Sequence, residues 1–157
     1  MRIEYFQLVD RITELNLTEK TIRAEAVVPA TSTIFEGHFP GYPLMPGVLL
    51  IETMAQTSGW LIIGATRFER MPFLASVKTA KLRTFVTPSQ TLSVSAKILH
   101  EGSGYMVTEA AITIDGKAIC DAELTLRLMP FPNPDLRASM EKVAERVGLQ
   151  MEMPAHG

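Results

Sequence analysis

The chain has 157 residues, 46% of them hydrophobic and 20% charged, a balance that fits one folded domain with a full core and excludes a disordered chain. Its formal net charge of −2 offers nucleic acid no global attraction. The single cysteine, Cys120, excludes an intrachain disulfide and fits a reducing compartment; with no apolar leader at the N-terminus, the cytoplasm is the expected location.

In chain order, residues 3–7 read as one helical turn, residues 8–15 as a strand and residues 17–20 as the turn after it. Residues 21–28 alternate polar and apolar side chains, the period of a half-buried strand, and Pro29 ends it. The loop over 30–46 carries Pro40, Pro43 and Pro46, which restrict φ and make it stiff despite Gly37 and Gly41. Gly47 opens a helix running to about Ala65, apolar nearly all round, as expected for a helix enclosed by protein. Glu52, Thr53, Gln56, Thr57 and Ser58 interrupt it, so it is too polar and too short to span a membrane.

After the helix the period changes. Residues 73–84, the alternation of Leu92, Val94, Ala96 and Ile98, the face Met106, Thr108, Ala110 and Ile112, and the run over 118–128 predict four strands. Asp115-Gly116 is a two-residue hairpin signal between the last two. Two strands before the helix and four after it predict an α+β fold, an antiparallel six-stranded sheet wrapped around a long central helix. Prolines at 130, 132 and 134 break the last strand. Leu136, Met140, Val143 and Val147 then share a helical face that ends at Gly148. Residues 1–130 therefore read as a single domain and 131–157 as a C-terminal extension, whose short amphipathic helix packs on the body or on a partner subunit and whose last residues are mobile.

Few side chains are placed for chemistry. His38, His100 and His156 stand far apart, none at ligand spacing with another or with Cys120, so no metal site is expected. Gly102-Ser103-Gly104 lacks the third glycine of a dinucleotide fingerprint and precedes a strand, which makes it a hairpin turn. Cys120 lies on an apolar strand face and reads as a small core hydrophobe; the serines at 58, 93, 95 and 103 have no nucleophile-elbow context. His100 reads as a surface turn residue and His156 as part of the tail.

His38 and Glu52 remain. Their plain readings are a loop histidine satisfied by nearby backbone and a surface carboxylate on a helix. Yet the helix has little polar face on which to expose Glu52, and a buried carboxylate without a cation stays protonated, as a general acid requires. A loop histidine near its ordinary pKa serves as a base at neutral pH. Gln56, one turn on from Glu52, shares its face and is placed to orient it. The N–H groups at the helix start, Gly47 and Val48, would polarise an oxygen set there.

The run His38-Phe39-Pro40-Gly41-Tyr42-Pro43-Leu44-Met45-Pro46-Gly47-Val48-Leu49, followed by Glu52-Thr53-Met54-Ala55-Gln56, resembles the signature of FabZ-type 3-hydroxyacyl-acyl carrier protein dehydratases, with the same spacing from histidine to glutamate. Leu8-Val9-Asp10-Arg11 and Asp115-Gly116-Lys117 with Cys120 match as well. The resemblance covers about residues 5–130. It implies a hot-dog fold, no cofactor, and a homodimer, in many relatives a trimer of dimers, whose active sites join His of one chain to Glu of the other. It further implies that His38 removes the C2 proton of a 3-hydroxyacyl thioester and that Glu52 protonates the leaving hydroxyl. Gly47 would hold the thioester carbonyl, Gln56 would position Glu52, and the Leu44 carbonyl would fix the His38 ring. Related dehydratase/isomerases carry Asp at the position of Glu52, so dehydration without isomerisation is implied.

The chain departs from the family after the helix, with Lys81-Leu82-Arg83 for an Arg-Phe-Lys-like run, Pro88-Ser89-Gln90 for Pro-Gly-Asp, and Lys78 for an acidic residue. The tail beyond Pro130 is longer than in the housekeeping enzymes. These departures bear on substrate length and carrier, and point to a branch serving very long or hydroxylated acyl chains such as those of lipid A. The implied partner is an acyl carrier protein bearing a 3-hydroxyacyl thioester. Because such a carrier is acidic, Arg67, Arg70, Lys78, Lys81 and Arg83 are the docking candidates, set against the plain reading of a solvated surface. Two rivals stand beside the dehydratase: a hot-dog thioesterase and a non-catalytic acyl-carrier-binding subunit.

Overall fold

The computed structural model describes residues 1–150. A 3-10 turn, Ile3–Tyr5, leads into β1 (Arg11–Asn16) and β2 (Thr21–Val27), then a short helix α1 (Thr33–Gly37) and the long helix α2 (Gly47–Ala65). Strands β3 (Met71–Leu82), β4 (Thr91–Glu101), β5 (Tyr105–Ile114) and β6 (Lys117–Met129) follow, and α3 (Pro134–Val147) closes the described chain. The six strands form one sheet in the order β1-β2-β4-β5-β6-β3, antiparallel throughout, with β1 and β3 at its edges.

The alternation of the sequence sets which face is buried. In β4, Leu92, Val94, Ala96 and Ile98 turn inward, and in β6 Cys120, Ala122, Leu124 and Leu126 do the same, each 5% exposed or less. Against this concave face lies α2, with Met54, Leu61 and Ile62 fully enclosed. Its buried polar side chains all have partners: Thr53 Oγ1 donates to Leu49 O (2.7 Å) and Thr57 Oγ1 to Thr53 O (2.9 Å) within the helix, and Ser58 Oγ pairs with Thr108 Oγ1 of β5 (2.8 Å). Among the described residues α2 alone is long and apolar enough to cross a bilayer, but 72% of that window is buried, which makes it a core helix. Asp115 and Gly116 both take positive φ (49° and 78°), the primed turn expected of Asp-Gly.

Three boundaries differ from expectation. β1 begins at Arg11 rather than at residue 8: the Leu8 N–H leaves the sheet to donate to Gln56 Oε1 (3.1 Å), and the Asp10 carboxylate, rather than a backbone carbonyl, accepts from Val27 N–H (2.6 Å). β3 spans Met71–Leu82 instead of residues 73–84. The loop over 30–46 contains α1, whose N-cap Ser32 accepts from the Ile34 N–H. The expectations for the last residues of the tail and for His156 lie outside the described residues.

Candidate active site

The stiff loop and the start of α2 meet the sheet edge at one corner of the molecule. His38 is the C-cap of α1, and its N–H donates to Ile34 O (3.0 Å) while Leu44 N–H donates back to His38 O (2.9 Å). The His38–Phe39 peptide is cis, and the two rings stack with centroids 4.0 Å apart. His38 Nδ1 lies 3.0 Å from Leu44 O. A carbonyl only accepts, so the proton sits on Nδ1 and the lone pair on Nε2. This half-buried ring lines a cavity of about 460 Å³ together with Gly47, Leu82, Arg83 and Phe85.

At the opening of α2, Leu49 N–H and Leu50 N–H make the first bonds, both to Pro46 O (2.9 and 3.3 Å). The N–H groups of Gly47 and Val48 thus stand at the open end of the helix, where its dipole is positive. Val48 is 72% exposed. Gly47 is tightly approached: a β-carbon built there would lie 2.5 Å from Leu82 Cδ1. Glycine here keeps room between the helix start and the end of β3.

Glu52 differs from expectation. It is half-buried rather than enclosed, because its face of α2 opens on a second cavity of about 320 Å³. Gln56 Nε2 donates to Glu52 Oε1 (3.2 Å) and to Phe6 O (2.7 Å), and Gln56 Oε1 accepts from Leu8 N–H. The amide is therefore pinned from both ends and orients the carboxylate. Its two backbone partners come from the N-terminal segment, a contact no local pattern in the sequence signals. Within one chain, His38 and Glu52 line different cavities.

The docking candidates Arg67, Arg70, Lys78, Lys81 and Arg83 are all exposed. Lys78 pairs with Glu123 (3.9 Å) and Arg83 with Asp121, whereas Arg67, Arg70 and Lys81 have no carboxylate partner among the described residues. Cys120 is 1% exposed; burial first, and then the neighbouring Asp121 charge, push its thiol up to about 11, so it stays protonated and inert at neutral pH. No group of three or more His, Cys, Asp or Glu fit to hold a metal ion occurs among the described residues.

Comparison with known proteins gives the family and the fold. The curated relatives include 3-hydroxyacyl-[acyl-carrier-protein] dehydratase FabZ of Ligilactobacillus salivarius, 35% identical over 77% of this chain and 86% of that protein. FabZ of Latilactobacillus sakei is 37% identical over 75% of this chain and 84% of its own. Among solved structures, the conserved protein PA5202 of Pseudomonas aeruginosa superposes with a TM-score of 0.63 at 19% identity, over 80% of this chain and 91% of that one. A Lactococcus lactis protein named as a thioesterase, yhdA, gives 0.61 at 15%, over 78% and 94%. At such identities these structures speak for the fold alone, an α+β hot-dog. Residues 2–123 match the FabA-like domain, and with relatives this close along most of its length the chain belongs to the FabA-like family as a FabZ-type member.

Proposed function

We propose that the protein is a hydro-lyase that dehydrates a 3-hydroxyacyl thioester carried on acyl carrier protein to the trans-2-enoyl thioester, in fatty-acid synthesis. The observation that carries this reading is the 3.0 Å contact of His38 Nδ1 with Leu44 O: with Nδ1–H given to that carbonyl, Nε2 is free to take the C2 proton. As the C2–H bond breaks, charge moves onto the thioester carbonyl, which the N–H groups of Gly47 and Val48 stabilise. Glu52, oriented by Gln56 at 3.2 Å, gives its proton to the C3 hydroxyl as the C3–O bond breaks. Water leaves and the C2–C3 double bond forms.

His38 and Glu52 belong to this site as halves supplied by two chains of a homodimer. Their placement in different cavities of one chain supports that reading, as does the uncovered edge strand. Every residue of β3 from Phe73 to Leu82 is exposed, including Phe73, Leu74, Val77 and Leu82 at 40–50%. The carrier docks on the exposed cations after α2, with Arg67, Arg70 and Lys81 the favoured contacts because they have no carboxylate partner among the described residues. Very long or hydroxylated acyl chains are the finer substrate assignment, supported by the departures at Lys78, Lys81-Leu82-Arg83 and Pro88-Ser89-Gln90. The enzyme works in the cytoplasm, as its core helix and single thiol suggest.

The test is turnover of a 3-hydroxyacyl carrier protein followed by enoyl absorbance. His38→Ala and Glu52→Gln are each expected to lower kcat at least 100-fold, in the range general acid–base catalysis contributes (about 10²–10⁴-fold), with the oligomer intact. Retention of most activity in either variant sinks the assignment, and release of free thiol instead of enoyl product would make the enzyme a thioesterase.

A further inference from the structure

The cavity beside Glu52 has a wall that the family match does not contain. One face of α2 runs along it: Glu52, Ala55, Gln56, Gly59, Trp60 and Ile63, at the helical spacing of three and four. From Glu52 to Ile63 this face is about 16 Å long at 1.5 Å per residue. Beyond the acid and its amide its one polar atom is the Trp60 indole nitrogen, and Gly59 leaves it a shallow floor. Facing it are Met140, Val143 and Val147 of α3, one turn apart from each other. The matched family region ends at residue 123, so all of α3 lies outside it.

We propose that α3 is the acyl-chain wall of the enzyme: Met140 and Val143 line the groove that takes the hydrocarbon of the substrate and set how long a chain it accepts. This inference rests on the dehydratase reading for the identity of its ligand. The occupant follows from continuity, since the groove begins at the carboxylate that handles C3 and proceeds over the mainly apolar surface of Ala55, Gly59, Trp60, Ile63, Met140 and Val143, with Gln7 and Arg146 also in its lining. A thioester whose hydroxyl is at Glu52 has only its alkyl tail left to place there. Two caps define the ends of α3, and buried side chains fix it against the body. Its N-cap Asn133 accepts from Leu136 N–H (2.8 Å), and its C-cap Gly148 takes the left-handed conformation (φ 79°). Behind it, Ala144 and Leu149 are buried in the main core.

Each methylene kept in such a groove is worth about fourfold in binding, so wall changes read out as chain-length preference. The experiment compares kcat/KM for 3-hydroxydodecanoyl and 3-hydroxybutanoyl carrier protein in the full-length enzyme. Val143→Phe, which fills the groove, is expected to lower the long-to-short ratio at least tenfold. Met140→Ala, which widens it, is expected to hold or raise that ratio with chains longer still. A ratio unmoved by Val143→Phe overturns the proposal.

A second readout needs no turnover. Trp60 is the only tryptophan and lines the groove, so dodecanoate alone is expected to shift its emission, with affinity weakened at least tenfold by Val143→Phe. If the wild-type enzyme dehydrates neither substrate, the catalytic reading fails while this titration still decides the wall. An emission change of equal affinity in wild type and Val143→Phe, or none in the wild type, overturns it.

Discussion

Gln56 carries more structure than any other polar residue on α2. Its amide joins the candidate acid Glu52 to the backbone of the N-terminal segment through three hydrogen bonds, to Glu52 Oε1, Phe6 O and Leu8 N–H. Replacing it with leucine keeps the volume and removes all three. The part-buried Leu8 N–H then loses its partner, at about 1–3 kcal/mol for a group left unsatisfied away from water, while the exposed Phe6 O turns to solvent. Gln56→Leu should therefore lower the urea midpoint at unchanged m. If Gln56 positions the acid, kcat should also fall at least tenfold with KM nearly constant. A stability loss with kcat untouched would make the residue purely structural. At this scale the sequence places Glu52 and Gln56 on one face correctly. It overstates the burial of Glu52, because a helical pattern does not reveal that the facing space is a cavity.

At the scale of elements, α2 and the Asp-Gly hairpin are legible because their signals are local: glycine after proline, continuous apolar character, a turn with two positive φ values. α1 is missed because three prolines dominate the reading of its loop, although Ser32 is an N-cap signal. This short helix matters because His38 caps its end. Its start is tied to the first turn of the chain, where Ser32 Oγ donates to Glu4 Oε1 (2.7 Å) and Thr33 N–H to the same oxygen (3.1 Å). The Ser32 hydroxyl is the largest of the causes that hold the Glu4 carboxyl below its ordinary value. A carboxylate whose pKa is lowered in the folded state stabilises it above its unfolded pKa and loses that contribution as pH falls. Ser32→Ala is therefore expected to move the Glu4 titration, followed by carboxyl NMR shift, up toward the ordinary carboxylate range. Loss of the cap on the Ile34 N–H should cost about 1 kcal/mol in denaturant. A Glu4 titration that stays put would show that the backbone donors alone hold it.

At the scale of the whole molecule, a single chain leaves His38 and Glu52 in separate cavities and an edge strand with both faces open to solvent. The strand order was not legible, and neither was this exposure. Whether β3 is covered depends on a surface outside the chain. The proposed dimer places catalytic groups of two chains in each site, which separates it sharply from a one-chain site. Mixing His38→Ala with Glu52→Gln, after subunit exchange, gives mixed dimers in which one site carries both defects and the other carries none. Under a two-fold dimer with random exchange, about a quarter of all sites are then intact, and about a quarter of wild-type activity should return. A site built within one chain predicts none, since every chain in the mixture lacks either its base or its acid. Val77→Lys on both chains provides the control: a charge in the middle of the free edge should shift the protein to monomer by sedimentation and abolish the recovery. Failure of the mixture to recover activity, with exchange verified by mass, would place base and acid on the same chain.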